Sequence, residues 1–538
     1  MQIPIIEKRR KRGRQWRLFS GSHGTFSISR RNQKVYKTFF FLFILMLNSN
    51  IIGMAESSHA AKIDTLMNAY LKNELFDGVV LVAEKGHIIY KKAFGLADRE
   101  WNIPMTIDTK FKIGSISKPF TAFVILQLVQ DGLIRLDGTI ADYIPDYKCK
   151  YQDRMTIHQL LTHTSGLLDA LEPEEEAIKE RLFHELRDLI KYAEAAEFYF
   201  DPGSGFHYSN FGYNILAYIA EKVTGKTFDI LLKERIFEPI GMMDTREYRD
   251  TGIEERLAKG YEYKLLKGFE NATFFDNSYA VGSGGLISTA EDLYKWHRAL
   301  LTDQYISNEL KEKMFEPTRS SQYGYGWSIG KKLCENSRDT LTIAEHSGSV
   351  NGFGSYIAHI LRDTSLVVVL KNWRDDTFIS PAYAPTIGQE IISILYGERV
   401  SLPQRSIAKH MAFYIGRDGF DQAKNEYFRI KKEDFESYSF AESELNKLGI
   451  ELFFRFHMID DALHVFAMNM NEFPKSYNTY DSYAYILMQK NEYASAIHYY
   501  RQGLDILRMY PEENNSEQVQ KDAQQALQFI EEMEKKLH

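Results

Sequence analysis

The chain is poor in cysteine: only Cys149 and Cys334 occur in 538 residues. There is no C-x-x-C pair and no Cys/His cluster with zinc spacing. A disulfide scaffold, a thioredoxin-like redox centre and a zinc-organised domain are therefore excluded. A single disulfide between the two remains open, as does a pair of free thiols. A phosphate-binding glycine loop is missing too, since Gly282-Ser283-Gly284-Gly285 lacks the lysine and hydroxyl that a P-loop requires. The composition implies no metal and no cofactor. Excess positive charge is confined to one end. Residues 1–37 hold eleven Lys and Arg against the single acid Glu7, while the whole chain carries a net charge of −7. The remainder is acidic, which argues against an electrostatic grip on nucleic acid.

What is present begins with an address. The basic segment leads into Phe39–Leu47, nine strongly apolar residues. That matches the core of a secretory signal and falls short of the roughly 20 residues needed to span a bilayer. Gly53-Met54-Ala55 and Ser58-His59-Ala60 both place small residues where a signal peptidase cuts, so the mature chain is expected to start near Glu56 or Ala61. The alternative is an uncleaved anchor over Phe39–Ala55 with its basic side in the cytoplasm. Either way the expectation is export: periplasmic, cell-surface or secreted, with membrane anchoring through residues 1–60 open.

Residues 61–398 read as mixed α and β. Gly78–Ala83 and His87–Gly95 form a hairpin around Glu84-Lys85-Gly86, and Ser355–Leu361 and Ser365–Lys371 form another. Mostly helical stretches lie between them, and Thr386–Tyr396 closes the region as a helix. The expected fold class is α+β: an antiparallel sheet flanked by helices, with an inserted helical region. A linker, residues 399–404 with Pro403, leads to an all-α domain over 405–538. There Ile459, Ala462, Leu463 and Phe466 match Tyr493, Ala496, Ile497 and Tyr500 at a spacing of 34 residues. That is the tetratricopeptide period, with Gln518–Leu537 as a cap. Gly449 sits one residue too far from Ala462, which implies a small insertion.

Three motifs carry chemistry. In Gly114-Ser115-Ile116-Ser117-Lys118-Pro119, Ser115 and Lys118 share one face at the start of a buried helix. A lysine one turn away can activate a hydroxyl that is otherwise a weak nucleophile, and the helix start offers N–H groups to an oxyanion. In Phe206-His207-Tyr208-Ser209-Asn210, a phenol near that lysine can serve as a base, and an amide can bond lysine and substrate together. Glu345-His346-Ser347-Gly348-Ser349 reads as a turn before an edge strand. Its small residues admit a substrate backbone, and the Ser349 N–H pairs with that of Ser115 as an oxyanion hole. Each motif alone is weak, since a surface Ser and Lys, a core Tyr or a plain turn explains it.

Together and in this order they resemble the motifs of class C β-lactamases, DD-carboxypeptidases and their esterase relatives. Supporting segments are Met155–Leu167, Gly284–Leu293 and Tyr323–Trp327. The resemblance covers residues 61–398. It implies a serine hydrolase acting on an ester or amide (a D-Ala peptide, a β-lactam or a small ester) through an acyl-serine. Ser115 would be the nucleophile, with Lys118 and Tyr208 sharing the proton work, and Asn210, His346, Gly348 and Ser349 binding substrate. His346 stands where many relatives carry lysine, which weakens the case for β-lactam hydrolysis and suggests a pH effect. His158 and His163 read as structural, and Asp169–Phe200, rich in Glu and Lys, as a helical lid or wall. The rival reading is a ligand-sensing or scaffold protein whose C-terminal repeats bind a protein partner.

Overall fold

Val79–Ala83 and Leu366–Leu370 are unbroken runs of buried apolar residues, the pattern of strands covered on both faces. The computed structural model describes residues 58–169, 178–318, 321–334, 339–375, 377, 379 and 382–537. The basic segment, the Phe39–Leu47 run and the cleavage sites before Ser58 lie outside these residues. Six strands form one antiparallel sheet: β1 (Gly78–Glu84), β2 (His87–Phe94), β3 (Ser328–Leu333), β4 (Thr340–Val350), β5 (Phe353–Ile360) and β6 (Ser365–Lys371), in the order β3-β4-β5-β6-β1-β2. The chain thus closes its sheet by pairing its first hairpin with its last. Alternate side chains feed two cores. Val80, Val82, Val367 and Val369 meet α1 (residues 58–72) and the helix Ala384–Leu395. Val79, Leu81, Val368 and Leu370 meet the large inserted region between β2 and β3. Fully burying each such side chain contributes roughly 1.5–3 kcal/mol.

The insert holds α2 (Lys118–Gln130), buried from Lys118 through Leu128, and α3 (Asn210–Thr224). The third motif departs from its sequence reading. Residues 345–349 are not a turn but lie in the C-terminal half of β4, and the strand that follows, β5, is not an edge, because β4 and β6 pair with it on either side. The Ser-Gly-Ser composition reads as a turn signal, yet the ladder with β5 holds it extended. Of the expected lid, residues 178–200 are described in part by a helix, Leu186–Glu194. Both cysteines are free; Cys334 is buried in the sheet core and Cys149 is half-buried near the other core. Among the described residues no helix is long and apolar enough to cross a membrane.

From Ile407 onward the chain is almost entirely helical. The matched positions fall on the helices Ile459–Glu472 and Tyr493–Met509, where Ala462, Phe466, Ala496 and Tyr500 are all buried. A π-helical turn, Glu451–Arg455, follows Gly449, which packs against the Phe466 ring, where a Cβ would come within 2.5 Å.

Candidate active site

Pro119 lies in the first turn of α2, and a tight 3-10 turn, Gly114–Ser117, precedes that helix. The turn sets Ser115 and Lys118 on one side, with Lys118 Nζ 3.1 Å from Ser115 Oγ. Two further acceptors hold the amine: Asn210 Oδ1 at 2.7 Å and the Ser283 carbonyl at 2.8 Å. Lys118 is fully buried, and desolvation brings its pKa down to about 7 against a smaller upward pull from the Asp169 charge. A neutral amine has only two N–H groups. With both donated to Asn210 and Ser283, its lone pair is left facing the Ser115 hydroxyl.

Asn210 is placed by the start of α3. Ser209 caps that helix, its Oγ accepting from the Gly212 N–H at 3.1 Å. The Asp169 carboxylate accepts from the Ser209 hydroxyl at 2.6 Å, from the Phe211 N–H at 3.0 Å and from the Asn210 N–H. An anion at a helix N-terminus is stabilised by the unpaired N–H groups there. Tyr208 lies just before the cap, with its ring 4.6 Å from Lys118 Nζ. Burial pushes its phenol well above the ordinary tyrosine range, offset in part by hydrogen bonding to Ser115. His163 grips this loop: its carbonyl accepts from the His207 N–H at 2.9 Å, its Nδ1 accepts from the Ser209 N–H at 3.0 Å, and its ring lies 4.2 Å from that of Tyr208.

β4 reaches the nucleophile through two glycines. Gly114 has φ +52°, and a Cβ there would lie 2.8 Å from the Ser349 nitrogen. At Gly348 a Cβ would lie 1.9 Å from the Ile113 carbonyl oxygen. Both approaches need hydrogen in place of a side chain. A cavity of about 310 Å³ opens here, lined by Ser115, Asn210, Ser283, Ser349, Phe275 and Arg374 among others. Ser115, Asn210 and Ser349 thus share one cavity, with Lys118 buried against it. Gly348 serves the packing of β4 on Ile113 rather than the cavity wall.

His346 departs from its expected place. It is buried, does not line the Ser115 cavity, and lines a separate one of about 290 Å³ with Tyr208 and Tyr323. Its Nδ1 lies 2.7 Å from the Ser347 carbonyl and its Nε2 2.7 Å from the Tyr323 hydroxyl, so Nδ1 donates and Nε2 accepts. Burial and the Lys118 charge lower its pKa to about 3. It is neutral throughout the physiological range, and the expected pH effect near neutrality does not belong to it. His158 bonds the Tyr325 hydroxyl at 2.8 Å. Asp169, Ser283 and Arg374 were not singled out by sequence; only the small residues around Ser283 gave a signal. Among the described residues, no group of three or more His, Cys, Asp or Glu is arranged to hold a metal ion.

Comparison with known proteins agrees with this geometry. The β-lactamase family model matches residues 63–386. Penicillin-binding protein 4* of Bacillus subtilis (strain 168) is 30% identical over 367 residues, covering 64% of this chain and 78% of that protein. Esterase EstB of Burkholderia gladioli is 30% identical over 350 residues, covering 59% and 84%. The crystal structure of a penicillin binding protein from Bacillus halodurans superposes with a TM-score of 0.52 at 26% identity, over 61% of this chain and 98% of that one. A match to well over half the chain, on a fold that brings the Ser-x-x-Lys turn, the Tyr-x-Asn loop and the third-motif strand together, is the basis for the assignment: the chain belongs to the β-lactamase family and is a serine hydrolase.

Proposed function

We propose that the protein is an exported acyl-hydrolase in which Ser115 is the nucleophile and neutral Lys118 the base. The observation that carries this reading is the triple hold on Lys118, which leaves its lone pair toward Ser115 Oγ at 3.1 Å. The Ser115 proton passes to Lys118 as Oγ bonds the substrate carbonyl carbon. The resulting oxyanion is met by the N–H groups of Ser115 and Ser349. The leaving alkoxide or amine takes a proton from Lys118 through the Tyr208 hydroxyl, and the carbonyl–leaving-group bond breaks. Water then repeats the sequence on the acyl-serine, returning the acid and free Ser115. Tyr208, held protonated by burial, suits a relay rather than a base. Asn210 positions the amine.

The substrate is an ester or amide with an anionic group. Arg374 lines the cavity, and no side-chain hydrogen bond or ion pair among the described residues engages its guanidinium. A carboxylate-bearing peptide of the cell-wall D-Ala type fits this, as the penicillin-binding relatives suggest; a small ester, as for EstB, is the second reading. For β-lactams the neutral, buried His346 removes the cation many relatives place there. For the C-terminal helices, the burial of the matched positions favours a tetratricopeptide-like pairing able to hold a protein partner.

The test is p-nitrophenyl acetate turnover with mass spectrometry after fluorophosphonate labelling. A burst lost in Ser115→Ala, with the adduct on the Ser115 peptide, is expected; a burst surviving in Ser115→Ala would end the reading. N-terminal sequencing of the mature protein tests export.

A further inference from the structure

The strand that carries Arg374 into the cavity is short and belongs to a small sheet of its own. Trp373–Asp375 pairs in parallel with Tyr261–Lys264, which pairs in turn with Gly268–Asn271. Three residues on one such strand cannot hold a position by ladder bonds alone, so what fixes it has to come from its side chains and its neighbours.

Two supports come from the C-terminal helices. Next to Arg374, the Asp375 carboxylate is buried and forms an ion pair with Lys409, which lies on the helix Ile407–Asp418 and is itself nearly buried. The other carboxylate oxygen accepts from the Thr377 N–H at 3.0 Å and hydroxyl at 2.7 Å, so the acid is fully paired. Lys409 Nζ also stands 4.7 Å from the Tyr263 ring and 5.9 Å from that of Trp373, residues of both paired strands. The second support is apolar. The hairpin tip, Leu265 and Leu266, joins the core formed by Ile407, Met411 and Ile415. Gly416 admits it closely: a Cβ there would come within 2.3 Å of the Leu266 carbonyl oxygen.

At its other end the same hairpin presses on the cavity. Ala272 bonds back to Gly260, and Gly352 fits against both, with a Cβ there at 2.6 Å from Ala272 and 2.7 Å from Gly260. Gly352 follows Val350 and Asn351, both on the cavity wall, and Phe275, three residues beyond Ala272, lines it as well. Hairpin and strand are therefore wedged between the wall of the cavity and the C-terminal helices.

We propose that the C-terminal helical domain is a fixed support of the substrate cavity: Lys409 and Asp375 are positioning residues that set where Arg374 stands, and so decide whether a carboxylate-bearing substrate is held, without taking part in the chemistry at Ser115. This rests on the reading that Ser115 is acylated in this cavity. Residues near Ser115 touch any substrate, whereas the far wall meets only one long and charged enough to reach it. Removing the support therefore weakens binding of that substrate and spares a small neutral one.

The test uses the full chain and two esters, p-nitrophenyl acetate and p-nitrophenyl hemiglutarate. Lys409→Met is expected to raise KM for hemiglutarate by about tenfold with kcat little changed, while kcat/KM for acetate stays within about twofold. Arg374→Ala is expected to give the same rise, and combining the two to add little, because one acts through the other. Should the unpaired Asp375 prevent folding, Lys409→Met with Asp375→Asn removes both charges and carries the same expectation. Additive effects of Lys409→Met and Arg374→Ala, a parallel fall for both esters, or no change for hemiglutarate would each overturn the proposal. A wild-type protein with no burst on either ester would instead overturn the reading of Ser115.

Discussion

If neutral Lys118 removes the Ser115 proton, acylation follows the titration of one buried amine. Its pKa of about 7 reflects desolvation, opposed by the Asp169 charge. The reactive form is the deprotonated one, so the rate falls on the acid side. At pH 5 about one molecule in a hundred carries the free amine, and kcat/KM should lie roughly a hundredfold below the plateau reached above about pH 8. The assay is the pre-steady-state burst with p-nitrophenyl acetate from pH 5 to 10 at constant ionic strength. Asp169→Asn supplies the second arm. Losing the anion removes the one influence that raises the amine's pKa, so the midpoint should move to lower pH. The plateau itself should drop, since an amide has a single acceptor oxygen where the carboxylate holds three donors at the start of α3. A profile flat from pH 5 to 8 would refute the reasoning. A rate still climbing beyond pH 9 would move the base role to Tyr208, whose phenol titrates far higher.

Other outcomes follow from the same geometry. Gly114→Ala places a Cβ 2.8 Å from the Ser349 nitrogen at φ +52°, and should slow acylation by about a hundredfold or more through a displaced oxyanion hole, while costing about 1–2 kcal/mol of stability. Gly225→Ala, also at positive φ but with nothing within 4 Å, should show a similar stability cost and an unchanged burst; the pair separates strain from site geometry. The Glu247 side chain is largely shielded from water, and desolvation raises its pKa to about 7. The folded state then binds more protons than the unfolded chain between pH 4.5 and 7, so stability falls as pH rises through that window, by about 3 kcal/mol from this group. Denaturant melts of Glu247→Gln should show that slope removed; an unchanged slope would assign it elsewhere.

The hairpins Gly78–Ala83/His87–Gly95 and Ser355–Leu361/Ser365–Lys371 were legible because a strand's burial pattern is local. So was α2, apolar nearly all round, with Pro119 in its first turn. The third motif was misread as a turn because Ser347-Gly348-Ser349 carries no apolar pattern, and its extended form is imposed by its pairing with β5 alone. His346 shows the same limit in chemistry. Sequence gives an imidazole that titrates near neutrality, whereas burial beside Lys118, with Tyr323 and Ser347 as partners, keeps it neutral at physiological pH.

Spacing along the chain determined which groups could act: Ser115 and Lys118 one turn apart, Tyr208 and Asn210 on a loop entering a helix, and small residues where backbone has to come close. Only tertiary structure decided what those groups became. Asp169, Ser283 and Arg374 reach the site from remote segments that no local pattern connects to it. The amine's pKa, the imidazole's neutrality and the grip of the C-terminal helices on the cavity wall all depend on desolvation and contact across the fold, and these are properties of the packed chain rather than of any stretch of it.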